Sequence, residues 1–436
     1  MELLEKNTKK LYFKYLFPAL GSSVVCSIYS TVDMICVGQY EGAPGSAALS
    51  VVMPIWSIIL SIGILLGVGG SVNFGILRGK DKREESNEYF TAAVIASLAV
   101  TAVVTALLII FLDELLVFFG ADGEILPLAR DYAKYIAAAA PAFLLGQVLI
   151  SFTRNDGAPF VAMLSVVLGG VINIVGDVWF VFGFDMGISG AGLATAIGQC
   201  IGFCVLIIYL FTKKCTLRLK RPRGFLKCVN KILLTGFSPF IADLSFGITV
   251  IFFNNQIMRL SGETQLAVYG TVANLHILVQ ALFYGVGQAL QPIASQNFGA
   301  GKYERVKSAL KYALLTAGVM GVCFMTACLA TPGEILALYV KVTPELLTVG
   351  IPIMRSFSPT FLFMGMGVVG CYYLQSVMKT GKSLVITLLR GVVLTGALVY
   401  ILPYAFGFDA IWLSLPLSEF ISAVFAGVFM KQKINK

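Results

Sequence analysis

Twelve apolar runs, each long enough to cross a bilayer, constrain this chain more than any other feature. They lie near residues 12–38, 48–77, 89–112, 132–153, 159–182, 190–212, 232–256, 266–294, 308–330, 350–377, 383–406 and 410–430. A helix needs about 20 mostly apolar residues to cross a bilayer, and it satisfies its own backbone hydrogen bonds in lipid. The 436 residues are 58% apolar and only 13% charged, whereas a soluble domain is about 25% charged. We therefore predict an all-α membrane protein with twelve transmembrane helices.

The basic residues alternate between the gaps that separate these runs. One set of gaps, which includes the segment Lys213 to Lys231 and both termini, holds 26 of the 32 Lys and Arg residues. The opposite set holds only Arg130, Lys134, Arg259, Lys341 and Arg355. Because cytoplasmic loops carry an excess of Lys and Arg, we predict that both termini are cytoplasmic. This topology explains the net charge of +9 better than nucleic-acid binding does, and we expect no nucleic-acid partner.

The start of the chain and its cysteines add two expectations. Residues 1–10 are polar and basic, and the apolar run behind them has no small-residue site typical of a cleavable signal. We therefore expect a multi-pass protein of the plasma membrane that retains its first span. The nine cysteines lie mostly inside spans and form no CxxC pair, so we interpret them as small buried residues rather than disulfides or metal ligands.

The basic segment 213–231 divides the spans six and six. We predict an N-terminal six-helix lobe over 1–212, a cytoplasmic linker over 213–231 and a C-terminal six-helix lobe over 232–436. Because each half has an even number of spans, the two halves run parallel, related by an axis along the membrane normal. Parallel repeats of this kind are typical of transporters in which one half rocks against the other.

Short motifs recur between the halves at an offset of about 218–224 residues. Gly67-Val-Gly69 recurs as Gly285-Val-Gly287, and Pro141-Ala-Phe-Leu144 matches Pro359-Thr-Phe-Leu362. The spacing holds over most of the chain, which favours an internal repeat. A chance similarity between glycine-rich apolar segments is the alternative.

Polar residues inside the spans of the first half form one candidate site. An ionisable residue deep in a span costs at least about 2.5 kcal/mol and is a functional candidate by default. Asp33 lies in span 1, and Asn173 and Asp177 lie four residues apart on one face of span 5. Thr195 and Gln199 of span 6 are expected at a similar depth. Together these groups could hold a proton or coordinate Na⁺ through oxygen atoms, or they could form hydrogen bonds that only join the three helices.

The second half carries a different set of polar residues within its spans. The main ones are Asp243, Asn254, Asn255, His276, Gln280, Gln288, Arg390 and Glu419. The amides could line a cavity for an organic ligand or could connect helices by hydrogen bonds. As candidate substrate-binding residues we select Gln199, Asp243, Asn254, Asn255, Gln280, Gln288 and Glu419. Arg390 could pair with Glu419 or Asp243, or contact substrate, and His276 is expected to be a hydrogen-bonded packing residue rather than a proton relay.

Five segments resemble motifs of the multidrug and toxic compound extrusion (MATE) transporters. They are Val32-Asp-Met-Ile-Cys-Val-Gly38, Arg154-Asn-Asp-Gly-Ala-Pro159, Asn173-Ile-Val-Gly-Asp177, Gly190-Ala-Gly-Leu-Ala-Thr-Ala-Ile-Gly-Gln199 and Gln291-Pro-Ile-Ala-Ser-Gln-Asn-Phe-Gly-Ala-Gly-Lys302. Four lie in the first half and one in the second, so together they cover both halves in order. The resemblance implies two six-helix lobes around a V-shaped central cleft. It also implies export of lipophilic, often cationic, compounds in exchange for H⁺ or Na⁺.

The resemblance also assigns a cation site in the first lobe. Asp33, Asn173, Asp177 and Thr195 match the family's network, with the first three as possible Na⁺ ligands. Gly176 departs from the pattern, since many relatives carry a bulky apolar residue there. The acids that some branches place in the second lobe match Asp243 and Glu419 only loosely and are not carried over. Beyond a small organic substrate, membrane lipid and the coupling ion, we expect no cofactor, and we expect a monomer.

Three other classes of protein are alternatives to an antiporter. A lipid or lipid-linked precursor flippase of the same two-lobe plan would line its cleft with several basic residues, and here only Arg390 and Arg355 are available. A membrane-embedded enzyme is disfavoured by the single histidine and the absence of a nucleophile set. A receptor would carry a soluble output domain, for which the polar tails are short.

Overall fold

The computed structural model describes residues 2–261, 263–339 and 343–432, and within these ranges it is helical and contains no β-strand. Lys341, Lys433 and Lys436, which contribute to the charge pattern, lie outside the described residues. Eleven helices in these ranges are long and apolar enough to cross a membrane. The chain is a multi-pass α-helical membrane protein.

The helices of the first half are α1 (Glu2–Glu5), α2 (Thr8–Gly79), α3 (Arg83–Ile110), α4 (Leu112–Phe118), α5 (Ile125–Asn155), α6 (Pro159–Asp177) and α7 (Gly187–Leu210). A π-helical segment, Val178–Gly183, continues α6 directly. Pro159 opens α6, where its fixed φ suits a helix start and its missing N–H is not needed. The third to sixth predicted spans therefore lie on α3, α5, α6 and α7.

Helix α2 contains both of the first two predicted spans. A straight helix of 72 residues would be about 108 Å long, more than three times the bilayer core. The chain instead breaks at Gly42, whose φ of 69° and ψ of −146° are not helical. A methyl group added to Gly38 would lie 3.0 Å from the Ser46 hydroxyl, although eight residues along a straight helix span about 12 Å. The chain therefore folds back at Gly42, and each arm of α2 contains one of the first two predicted spans.

The helices of the second half are α8 (Phe225–Leu260), α9 (Glu263–Gly299), α10 (Tyr303–Ala330), α11 (Pro332–Ala337), α12 (Pro344–Phe357), α13 (Pro359–Ser376), α14 (Thr380–Leu388), α15 (Leu394–Phe406) and α16 (Ser414–Lys431). A π-helical segment, Leu389–Val393, joins α14 to α15, and a 3₁₀ turn, Phe408–Leu413, precedes α16. The predicted span 350–377 is interrupted before Pro359, because proline cannot donate the next helical hydrogen bond.

The chain forms two compact units. The first comprises the chain up to Glu5 and Phe17–Phe240, and the second comprises Lys6–Leu16 and Ile241–Lys436. In the first unit α7 packs against α5 and α6, and in the second α13 packs against α9, α10 and α16. Each unit therefore has one central helix surrounded by its neighbours.

Two short segments differ from the lobe boundaries predicted at 1–212 and 232–436. Lys6–Leu16 packs with the second unit, where Arg305 donates a 2.7 Å hydrogen bond to the Lys6 carbonyl. The first part of α8, up to Phe240, packs with the first unit. Helix α8 also begins at Phe225, so Lys227 and Lys231 lie on its first two turns rather than in a linker.

Candidate functional site

The first unit gathers the polar residues of α6 and α7 into one buried group. Asn173 and Asp177 lie one turn apart on α6, and the Asn173 amide donates to Oδ1 of Asp177 at 3.4 Å. The same amide nitrogen lies 3.0 Å from the Thr195 hydroxyl on α7. The predicted i, i+4 pair and its predicted neighbour on the next span are therefore brought together.

Close packing of α6 against α7 makes these contacts possible. A methyl group added to Gly198 would lie 2.5 Å from the Gly169 carbonyl oxygen, and one added to Gly202 would lie 2.7 Å from the Ser165 carbonyl oxygen. Small residues let membrane helices approach to this distance. Gly176, which departs from the family pattern, also allows α6 to pack closely against α7. A methyl group there would lie 2.8 Å from Cβ of Ala194.

Asp33 is connected to this group by Tyr132, a residue that the sequence did not identify as part of the site. The Tyr132 hydroxyl of α5 donates to Oδ2 of Asp33 at 2.8 Å and lies 3.4 Å from the Thr195 hydroxyl. A continuous chain of polar contacts thus runs from Asp33 through Tyr132, Thr195 and Asn173 to Asp177. Tyr132 is the first residue of a predicted span, where a tyrosine is common at the interface, so no signal in the sequence marks it.

All five side chains of this network are shielded. Asp177 is 0% exposed and Asp33 is 9% exposed, with the other three between these values. Three oxygens of the network, Asp33 Oδ1, Asn173 Oδ1 and Asp177 Oδ2, are buried and have no hydrogen-bond donor in the described structure. Neither carboxylate forms an ion pair with a Lys, Arg or His of the described residues.

This donor set fits a small cation or a proton. An ionised carboxylate is costly in the membrane unless a positive charge compensates it, and here two lie in one network without a basic partner. The three free oxygens are hard ligands suited to Na⁺, and either carboxylate can accept a proton. Among the described residues no group of three or more His, Cys, Asp and Glu is arranged for a metal ion. Amide and hydroxyl oxygens would therefore have to complete any Na⁺ coordination.

A cavity of about 60 Å³ adjoins the network inside the first unit. Its polar wall includes Asp33, Tyr132 and Thr195, and its apolar wall includes Met53 and Trp56. The volume exceeds the roughly 10–15 Å³ that one water molecule requires, so the cavity has room for water or a small ion beside Asp33. Gln199, one turn beyond Thr195 on α7, is half-buried and is not part of the described network.

The second unit brings together a subset of the polar residues predicted there. Arg390 pairs with Glu419: its Nε and Nη2 donate to Oε1 of Glu419 at 3.1 and 2.6 Å. Both are buried, and with His276 and Gln280 they line a cavity of about 30 Å³. Of the two partners predicted for Arg390, the structure therefore selects Glu419.

The remaining candidates of the second half are not gathered at this cavity. Asp243, Asn254 and Gln288 are half-buried on α8 and α9, and Asn255 is exposed on α8. Gln280 donates to the Tyr284 hydroxyl at 3.1 Å. His276 is 5% exposed and its ring lies edge-on to Phe357 at 6.0 Å.

A π-helical segment marks the fifth span of each half. Asp177 ends α6 immediately before Val178–Gly183, and Arg390 lies inside Leu389–Val393. In the second unit, side chains satisfy the carbonyls that the irregular turn frees: Thr395 and Ser418 donate to the Arg390 carbonyl, and Thr249 donates to that of Gly391. Such segments occur often at functional sites, because the extra residue redirects a side chain.

Comparison with known proteins agrees with this architecture. A family model described as MatE matches the chain twice, over residues 18–179 and 240–401. The second match begins 222 residues after the first. This shift lies within the offset of 218–224 residues predicted from the repeated motifs, so the internal repeat is confirmed.

Known sequences and solved structures match nearly the whole chain. It is 24% identical over 419 residues to the multidrug export protein MepA of Staphylococcus aureus, covering 96% of this chain and 92% of that protein. It is 25% identical over 413 residues to MepA of Staphylococcus saprophyticus, covering 94% and 90%. A multidrug resistance MATE family transporter of the MOP superfamily, solved in an outward-facing conformation, superimposes with a TM-score of 0.93 at 22% identity, covering 99% of this chain and 97% of that one.

The helical fold, repeated in two halves, defines a membrane transporter of the two-lobe class. The two matches to the family model cover most of the chain, and the chain belongs to the multidrug and toxic compound extrusion (MATE) family. The predicted fold class and family are thereby confirmed.

Proposed function

We propose that the protein is a cation-coupled antiporter that exports lipophilic, cationic organic compounds by alternating access. The observation that carries the proposal is the pair of buried carboxylates, Asp33 and Asp177, linked by polar contacts and without a basic partner among the described residues. The names of the MepA relatives, multidrug export proteins, support the substrate class.

The coupling ion is H⁺ or Na⁺, entering from outside the cell. A proton would bind a carboxylate oxygen, and Na⁺ would bind the free oxygens of Asp33, Asn173 and Asp177, with Thr195 next to them. Either ion compensates the buried negative charge. A ligand drives a conformational change only if it binds the two states with different affinity. The ion must therefore favour the state from which substrate is released.

The orientation of the transporter follows from its charge pattern. The 26 basic residues in alternate gaps favour cytoplasmic termini, and the bacterial relatives favour the plasma membrane. We propose a monomer that captures substrate from the cytoplasm or the inner leaflet. Gln199, Asp243, Asn254, Asn255, Gln280, Gln288 and Glu419 remain candidate substrate contacts.

A lipid flippase of the same architecture is less well supported. Such a protein needs free basic groups for a phosphate, and Arg390 is held by Glu419 in a buried ion pair. Arg355, the other basic candidate, is exposed near the end of α12. The match to multidrug export relatives over more than nine-tenths of the chain also favours drug export.

The proposal is tested by measuring the efflux of ethidium, a lipophilic cation, from proteoliposomes. Na⁺ and pH gradients are imposed separately. We expect one gradient to drive efflux, and Asp33→Asn and Asp177→Asn to reduce it at least tenfold. The matched control is Asp122→Asn, which removes an exposed carboxylate with no described side-chain bond. Efflux that responds to neither gradient, or that persists at the normal rate in both site variants, would overturn the antiporter.

A further inference from the structure

The segment that connects the two halves is a fixed basic surface. Residues 211–224, between the end of α7 and the start of α8, are here called the strap. From Lys213 to Lys231 the sequence contains eight Lys and Arg residues and no acid. A cytoplasmic loop needs such charge only for topology, and a disordered loop would serve that purpose equally well.

The strap is instead bound along its length by side chains of the first unit. The backbone N–H of Thr216 donates to Asp156 at 2.9 Å, that of Lys220 to Thr91 at 2.8 Å, and that of Arg223 to Glu88 at 3.1 Å. The Arg78 guanidinium donates to the Thr216 carbonyl at 2.8 Å. These bonds fix the backbone so that one face of the strap is presented outward.

Burial along the strap separates its two faces. Cys215 and Leu217 are 2% and 3% exposed and face the protein. Leu219 is 73% exposed, and Leu226, in the first turn of α8, is 80% exposed. Large apolar side chains among exposed lysines and arginines are typical of a surface that lies in the headgroup region of a bilayer.

Most cations of this segment have no acidic partner. Lys220 pairs with Glu84 and Arg223 lies near Glu88. The others are exposed and form no described ion pair: Lys213, Lys214, Arg218, Arg221, Lys227 and Lys231. Six positive charges on a fixed backbone are complementary to several phosphate groups at once.

The position of the strap indicates that its partner is phospholipid. Helices α7 and α8 are each long and apolar enough to cross a membrane, and only fourteen residues separate them. The strap bonds to α3 at Asn87, Glu88 and Thr91, which lie within about three turns of the start of that helix. It is therefore held at the level of the lipid headgroups, within reach of phospholipid without any further protein.

We propose that the strap and the first turns of α8 form a binding surface for anionic phospholipid headgroups. The lysines and arginines contact the lipid phosphates, and Leu219 and Leu226 enter the apolar edge of the leaflet. Clusters of four to eight basic residues beside a membrane span attract anionic lipid, and each basic residue changes the affinity by roughly fivefold.

The proposed lipid binding is tested by titrating the purified, delipidated protein with phosphatidylglycerol and, separately, with phosphatidylcholine of the same acyl chains. Bound lipid is counted by native mass spectrometry, and the thermal unfolding temperature is followed in parallel. We expect tighter binding of phosphatidylglycerol, weakened by raising NaCl from 0.05 to 0.5 M. The variant K213Q/K214Q/R221Q/K227Q should bind phosphatidylglycerol at least tenfold more weakly, with unchanged binding of phosphatidylcholine.

The matched control K9Q/K10Q/K311Q/K431Q removes the same charge from exposed lysines elsewhere and should bind as the unmodified protein does. The milder variant K213Q/K214Q, which leaves α8 unchanged, should show an intermediate loss. Equal weakening in the control, or no preference for phosphatidylglycerol, would overturn the proposal. So would competition by glycerol phosphate at the lipid concentration, or by polyglutamate, which would reassign the surface to free phosphate or to an acidic protein.

Discussion

The Tyr132 hydroxyl donates a 2.8 Å hydrogen bond to Oδ2 of Asp33 and so joins α5 to α2 across 99 residues of sequence. The same oxygen lies 3.4 Å from the Thr195 hydroxyl. One side chain therefore connects the carboxylate of the first span to the Asn173–Asp177 pair of the fifth. The two carboxylates are thus connected through side-chain contacts alone.

We expect Tyr132→Phe to reduce transport at subsaturating coupling ion by at least tenfold. The change removes the donor to Asp33, and a hydrogen bond to a charged group contributes about 1.5–3 kcal/mol. Transport into proteoliposomes over a range of ion concentrations measures the effect. Tyr135→Phe is the control, because its half-buried hydroxyl has only a 3.5 Å contact with Ser189. Normal ion dependence in Tyr132→Phe would show that this bond does not support coupling.

Four of the five residues of this network, Asp33, Asn173, Asp177 and Thr195, were predicted from the sequence. Asn173 and Asp177 share a face because they lie four residues apart, and Thr195 follows from the direction of the next span. Tyr132 could not be predicted, because its hydroxyl reaches Asp33 only through the lateral packing of α5 against α2 and α7. Hydropathy carries no information about such lateral positions.

The fold, like the site, was predictable from the sequence only where it depends on local patterns. Each span is visible in the sequence because a membrane helix satisfies its own backbone and needs only an apolar run. The break at Gly42 and the π-helical segments at Val178–Gly183 and Leu389–Val393 do not change hydropathy. They depend on tertiary contacts, such as the bonds from Thr395 and Ser418 to the Arg390 carbonyl.

Gly198→Ala should destabilise the first unit and displace the site. Its methyl group would lie 2.5 Å from the Gly169 carbonyl oxygen and 3.2 Å from Cβ of Asn173, so α6 and α7 must separate. Overpacking of this kind costs about 1–3 kcal/mol. We expect a lower thermal unfolding temperature in detergent and reduced transport. Gly146→Ala on α5, where nothing lies within 4 Å of the added methyl group, should leave both unchanged. Equal behaviour of the two variants would contradict the packing argument.

The Arg390–Glu419 pair should behave as an internal ion pair. Arg390→Met leaves the Glu419 carboxylate buried without its partner, which costs about 3–5 kcal/mol. The double variant Arg390→Met/Glu419→Leu removes both charges and should recover most of the lost stability and retain transport. Thermal unfolding of Arg390→Met, Glu419→Leu and the double variant gives the interaction free energy between the two residues. A double variant that is stable but inactive would instead assign the pair to substrate binding.

Cys215 reports directly on whether the strap is held against the first unit. The thiol is 2% exposed, and burial, together with the nearby charge of Asp156, raises the pKa of Cys215 to about 11. Maleimide reacts with the thiolate, and an ordinary thiol has a pKa of about 8.5. The rate of Cys215 labelling, measured by peptide mass spectrometry, should therefore be low at pH 8 and should continue to rise about tenfold per pH unit beyond pH 9.

Asp156→Ala removes the acceptor for Thr216 and Tyr209 and should increase the labelling rate at pH 8 at least tenfold, whereas Asp122→Ala should not. Rapid labelling of the unmodified protein at pH 8, with a plateau by pH 9, would show that the strap is free.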